Sequence, residues 1–222
     1  VVTVFPDGTV VPNNPAALPE DADDPNYEVI ARMLVDQWAG DMAHTLNHFS
    51  ILATDIRGRW WGRLDLSRVG AYGHSTGGGA AIQFCGTDKR CQAVLGMDPF
   101  MRPVSAEVIA DGVSQPSFFM FSQGWADIID SKNNTLFNQF YPNAGASMGV
   151  IGIEGTRHYD FSDLPLLSPV APQLGLKGPL NGARVTEIVN AYLLAFFEAT
   201  LKGRTSDLFE NVSPFAEVRF LK

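Results

Sequence analysis

Short apolar segments that alternate with helical patterns predict an α/β fold: a mainly parallel sheet covered by helices on both faces. Two observations carry this. The candidate strand at residues 117–121, Ser-Phe-Phe-Met-Phe, is apolar on both faces, as strands buried in parallel sheets are. Helical segments separate the strand candidates, as parallel crossovers require. The 222 residues are 45% hydrophobic and 18% charged, which suits one folded domain spanning residues 1–222 and not a disordered chain.

Each element follows from its own pattern. Residues 1–5 are β-branched and aromatic and predict a short buried strand. Residues 6–26 are rich in Pro, Asn and Asp and predict a long irregular loop. From Tyr27, Ile30, Met33, Leu34 and Trp38 recur at helical spacing, and residues 42–52 continue the pattern, as one long helix or two consecutive ones. Asp65-Leu66-Ser67-Arg68 reads as a turn and residues 69–73 as a strand. Residues 76–84 are rich in Gly and Ala and predict a close-packed helix, with Gly86 as its stop. Further strands are expected at 93–97, ending in Asp98-Pro99, and at 117–121 and 149–153. A helix is expected at 131–140, and another from an N-cap at Thr186 to Leu201, closed by Lys202 and Gly203.

A formal charge of −8 argues against a nucleic-acid binder, which needs a basic face. No apolar run approaches the roughly 20 residues that span a bilayer. Cys85 and Cys91 are too few and too widely spaced for a zinc site. They are either two buried thiols or a short disulfide, the latter implying an oxidising compartment. Two sequons, Asn133-Asn134-Thr135 and Asn211-Val212-Ser213, are compatible with a secreted or periplasmic location. His44 and His48 sit at i, i+4 on a helix but lack a third ligand, so they read as surface histidines.

Gly73-His74-Ser75-Thr76-Gly77 matches G-x-S-x-G between a buried strand and a small-residue helix, the setting of a nucleophile elbow. Ser75 is the nucleophile candidate, and the Thr76 N–H one oxyanion donor. His74 should point away beneath the elbow. A serine needs a base to take its proton, and His158, on a loop after a late strand, stands where the base belongs in the order serine, acid, histidine. Asp98, which ends a strand, and Asp127, just past the next strand within Gly124-Trp125-Ala126-Asp127, divide the acid role evenly by position. Asp160 and Asp163 follow His158 too closely and read as surface carboxylates.

Three stretches, Gly73-His74-Ser75-Thr76-Gly77-Gly78, Leu95-Gly96-Met97-Asp98-Pro99-Phe100-Met101 and Gly155-Thr156-Arg157-His158-Tyr159-Asp160-Phe161-Ser162-Asp163, resemble the plasma-type platelet-activating factor acetylhydrolases and their microbial relatives, serine enzymes of the α/β-hydrolase fold. Gln115-Pro116-Ser117-Phe118-Phe119 resembles the strand after that family's catalytic Asp, and the likeness runs over residues 1 to about 165. The resemblance implies Ser75 as nucleophile, Asp98 rather than Asp127 as acid, and His158 as base. It implies cleavage of short acyl esters, including phospholipid-like ones, without metal or organic cofactor. Phe100, Met101 and Trp125 are candidates for an acyl pocket, with core packing as the alternative.

The front of the chain departs from the family pattern. The strand and loop that supply the second oxyanion donor have no counterpart before Val1, and a strand is expected to be missing beside residues 69–73. The expectation is that residues 1–222 form the C-terminal portion of a hydrolase domain, which a second polypeptide segment of the same precursor completes. The competing readings are a lipase or cutinase-like polyester hydrolase, and a non-catalytic binding protein of the same fold.

Overall fold

The computed structural model describes residues 2–12, 24–128, 131–167, 170–210 and 212–222. Of the expected 6–26 loop, residues 13–23 lie outside the described residues, as does the sequon residue Asn211. The first strand is placed otherwise than its composition predicts. β1 (Val2–Val4) pairs antiparallel with β2 (Val10–Pro12) in a two-stranded hairpin separate from the main sheet. Val4 and Phe5 are exposed, not buried. Strand propensity alone does not say which sheet a segment joins.

The 27–52 pattern is one helix, α1 (Tyr27–Thr54). Its buried residues Ala31, Val35, Ala39 and Leu46 form one stripe at helical spacing. The main sheet then builds in chain order. β3 (Val69–His74) leads into α2 (Thr76–Thr87), β4 (Cys91–Met97), α3 (Ala106–Asp111) and β5 (Ser117–Ser122). A short α4 (Gln123–Ala126) and α5 (Lys132–Phe140) precede β6 (Ser147–Ile153). α6 (Leu164–Leu167) and α7 (Gly182–Lys202) precede β7 (Val218–Phe220). The five strands run in the order β3-β4-β5-β6-β7, all parallel except β7, which pairs antiparallel with β6.

The two-residue period of the strands sorts the core into two layers. Val94, Phe119, Phe121 and Val150 face α1, α2 and α5. Leu95, Met97, Phe118, Met120, Ile151 and Ile153 face α7, where Ile188, Tyr192 and Phe196 are fully buried. Each such large side chain contributes about 1.5–3 kcal/mol by burial. This two-sided burial is why residues 117–121 read as a continuous apolar run.

Several ends differ from the sequence reading. Gly86 does not stop α2 but lies in its last turn, where a Cβ would come within 2.7 Å of Val108. α7 starts earlier than Thr186, because the Asn181 side chain accepts from the Ala183 N–H and caps it. Its other end closes as expected, on Gly203 at φ 67°. Cys85 and Cys91 form a disulfide across the turn between α2 and β4. Asn133 is buried on α5, so the first sequon is not displayed at the surface. No helix among the described residues is long and apolar enough to cross a membrane.

Candidate active site

The ends of β3, β4 and β6 converge above the C-terminal edge of the sheet, where open α/β sheets place their ligands. Ser75 takes φ 55° and ψ −121°, the left-handed side of backbone space that only a tightly held residue keeps. The turn closes because Gly73 has no Cβ; one there would overlap the backbone of Gly77. Gly79 in the same way lets α2 settle against the Phe100 carbonyl. The Phe100 N–H in turn donates to the Ser75 carbonyl at 2.9 Å. Ser75 thus caps α2, and the Thr76 N–H belongs to the first turn, whose donors have no carbonyl of their own helix. The helix dipole adds to the pull of that donor on a developing negative charge.

His158 opens a 3-10 turn (His158–Phe161) after β6. Its Nε2 lies 3.0 Å from Ser75 Oγ and its Nδ1 3.1 Å from Asp98 Oδ2. Asp98, at φ 41° beyond β4, is fully buried. The Ser122 N–H donates to its Oδ1 at 2.8 Å and the Ser122 hydroxyl to its Oδ2 at 2.5 Å. Ser122 Oγ also accepts from the Trp125 N–H, so its one proton points to Asp98. Burial raises the Asp98 carboxyl above its ordinary pKa, against the opposing pull of the His158 and Ser122 hydrogen bonds. Acceptance from Ser122 on both oxygens fits the carboxylate form. His158 then carries its proton on Nδ1 and offers the Nε2 lone pair to Ser75, an arrangement able to deprotonate the hydroxyl and to hold the imidazolium formed.

The loop carrying His158 is anchored to the end of β5. Gln123 accepts from the Gly155 N–H at 2.7 Å, and Thr156 Oγ1 accepts from the Gln123 N–H at 3.2 Å. Asp160, read from sequence as a surface carboxylate, is buried and accepts from the Arg157 and Gly178 N–H groups. Asp163 is exposed. Asp127 is also exposed, and Asp98 holds the place beside His158.

His74 does not point away from the site. Its ring lies 4.4 Å from the His158 ring and 6.0 Å from that of Phe161. Its Nε2 is buried and has no hydrogen-bond partner among the described residues. Burial, and secondarily the nearby His158, push its pKa down to about 4. Phe100 is half-buried and packs edge-on to Tyr27, whereas Met101 is fully buried in the core, the packing alternative. Trp125 stacks on the His158 ring at 4.3 Å. His74, Asp98 and His158 each bring one potential metal-ligand atom within 4.8 Å of the others. Asp98 and His158 spend theirs on each other and on the two serines. His44 and His48 are both exposed on α1.

The sequence reading missed Ser122, whose signal was a polar residue closing the apolar run Phe118–Phe121. It also missed Asn133 and Asn134. Asn133 accepts from the Met101 N–H at 2.7 Å and donates to the Pro99 carbonyl at 3.1 Å, which fixes the loop after Asp98.

A protein similar to this one, the platelet-activating factor acetylhydrolase of Cavia porcellus, is 32% identical over 142 residues, covering 63% of this chain and 31% of that protein. A probable 1-alkyl-2-acetylglycerophosphocholine esterase of Arthroderma benhamiae is 27% identical over 173 residues, covering 70% of this chain and 43% of its own length. The chain therefore spans less than half the length of these curated relatives. A ferulic acid esterase from Streptomyces cinnamoneus superposes with a TM-score of 0.76 over 100% of this chain and 62% of its own, at 22% identity, and so shares the fold. The family model described as platelet-activating factor acetylhydrolase, isoform II matches residues 49–212, a stretch that holds Ser75, Asp98 and His158 together. By that match, the chain belongs to the platelet-activating factor acetylhydrolase, isoform II family.

Proposed function

We propose that the protein is a serine carboxylic-ester hydrolase working through Ser75, His158 and Asp98. The observation that carries this reading is the continuous relay from Ser75 Oγ to His158 Nε2 at 3.0 Å and from Nδ1 to Asp98 at 3.1 Å. Ser75 Oγ attacks the ester carbonyl carbon as its proton passes to His158 Nε2. The Thr76 N–H helps hold the oxyanion. Collapse expels the alcohol, which takes the proton from His158. Water then attacks the acyl-serine, giving its proton to His158, and the acid leaves as Ser75 is restored. The likeness to an acetylhydrolase and a 1-alkyl-2-acetylglycerophosphocholine esterase supports short acyl groups, acetyl above all, on a glycerophospholipid-like alcohol. Ser75→Ala should abolish both p-nitrophenyl acetate hydrolysis and fluorophosphonate labelling. A wild-type protein that takes no label would overturn the reading.

A segment from outside residues 1–222 completes the sheet in this proposal and brings the second oxyanion donor. Two features favour it. Among the described residues β3 has a strand neighbour on one side only. Along that open edge lies an apolar trough of about 600 Å³, lined by Trp38, Met42, Leu46, Phe49 and Tyr72. An open edge presents unpaired backbone groups, which a further strand would satisfy. A single 24.1 kDa species with full esterase activity by intact mass would refute it. The Cys85–Cys91 disulfide supports an oxidising compartment outside the cytoplasm.

A further inference from the structure

Trp125 packs on the catalytic base His158, and Asn134 holds Trp125. The indole stacks on the His158 ring with centroids 4.3 Å apart and planes 26° from parallel. Three hydrogen bonds hold Trp125 there. Its Nε1–H donates to Asn134 Oδ1 at 3.1 Å, its carbonyl accepts from Asn134 Nδ2 at 3.1 Å, and its N–H donates to Ser122 Oγ at 3.3 Å. Asn134 is itself fixed at the start of α5, where its N–H donates to the N-cap Ser131 at 3.0 Å. Contacts therefore close a ring: Asp98 to Ser122, Ser122 to Trp125, Trp125 to His158, and His158 back to Asp98.

We propose that Trp125, clamped by Asn134, is a positioning residue for His158. Its indole face holds the imidazole plane in line with Ser75 and Asp98, and its negative π-face favours the imidazolium present while the serine proton is in transit. His74, the other ring against His158, stays neutral near neutral pH and sets no charge against that imidazolium. The role differs from acyl binding because it acts through the base and not on the substrate.

The inference deepens the esterase reading, so its test has one arm that needs turnover and one that does not. In the whole polypeptide, Trp125→Leu should lower kcat on p-nitrophenyl acetate by roughly 10- to 100-fold per fluorophosphonate-titrated site, with KM within about twofold. Trp125→Phe, which keeps a ring face, should recover to within about threefold of wild type. Asn134→Ala should fall between them, and the Trp125→Leu/Asn134→Ala double variant should be no worse than Trp125→Leu alone. By proton NMR, the downfield Nδ1–H resonance of the His158–Asp98 hydrogen bond should broaden or vanish in Trp125→Leu and persist in Trp125→Phe. An unchanged resonance in Trp125→Leu overturns the proposal, as does a rise in KM at unchanged kcat. If Trp125→Leu fails to fold, Trp125→Phe and Asn134→Ala decide. Equal loss in both, or none in Asn134→Ala, then refutes the clamp. Absence of hydrolysis and label in the wild type would refute the esterase reading separately, leaving the NMR comparison to judge the positioning.

Discussion

Ser122 holds both oxygens of Asp98, its N–H on Oδ1 at 2.8 Å and its hydroxyl on Oδ2 at 2.5 Å. A backbone donor and a side-chain donor on one residue thus set the plane of the carboxylate that receives His158. Ser122→Ala removes only the second. It should lower kcat by about 3- to 30-fold and destabilise the fold by about 1–3 kcal/mol, since Asp98 stays buried with one donor fewer. Steady-state kinetics and urea unfolding check both.

Asp98 and Asp127 can be separated by substitution. Asp98→Asn should cost about 10⁴-fold in kcat, by stabilising the wrong imidazole tautomer. Asp127→Asn, at an exposed position away from His158, should stay within about twofold. Equal losses would return the acid role to open question.

The pH dependence of stability should carry a His74 component. Its folded pKa is pushed down to about 4 from 6.5, so the fold binds the neutral ring while the unfolded chain takes up a proton. That contribution is fully present above pH 6.5 and is lost as pH falls towards 4. It amounts to no more than about 3 kcal/mol, and less because the ring is only partly shielded from solvent. His74→Gln should flatten the stability difference between pH 7 and pH 4.5 relative to wild type, read by chemical denaturation at each pH.

The Cys85–Cys91 bridge closes a short loop, which loop entropy values at about 2 kcal/mol. A Cys85→Ala/Cys91→Ala variant should melt about 4–8 °C lower. Unchanged melting under reducing conditions would show that packing alone holds the turn.

Much of this site was legible because its signals are local. The run from β3 through Ser75 into α2 declares itself by a strand, a glycine-flanked serine and small residues in succession. The acid was not local: Asp98 follows β4 directly and Asp127 lies beyond β5 and α4, so position alone left both open, and it is the fold that sets Asp98 against His158. His74 was misplaced although the strand period could have found it. It lies two residues from Tyr72 and so shares that face of β3, the face towards α7, where the His158 turn also packs. The first strand was recognised as extended but not as a separate hairpin, because propensity carries no information about partners. Asn133-Asn134-Thr135 was read as an acceptor site, since a three-residue pattern says nothing of burial.

That last pattern has a consequence for how the protein matures. The amide of Asn133 holds the loop after Asp98 and is buried as it does so, which closes it to the modifying machinery once α5 is docked. An oligosaccharide there would have to displace the packing around it. Any glycoform found there would be a record of chains captured by the modifying machinery before α5 had docked, and the fraction carrying it would report folding speed against modification speed in the cell that made them.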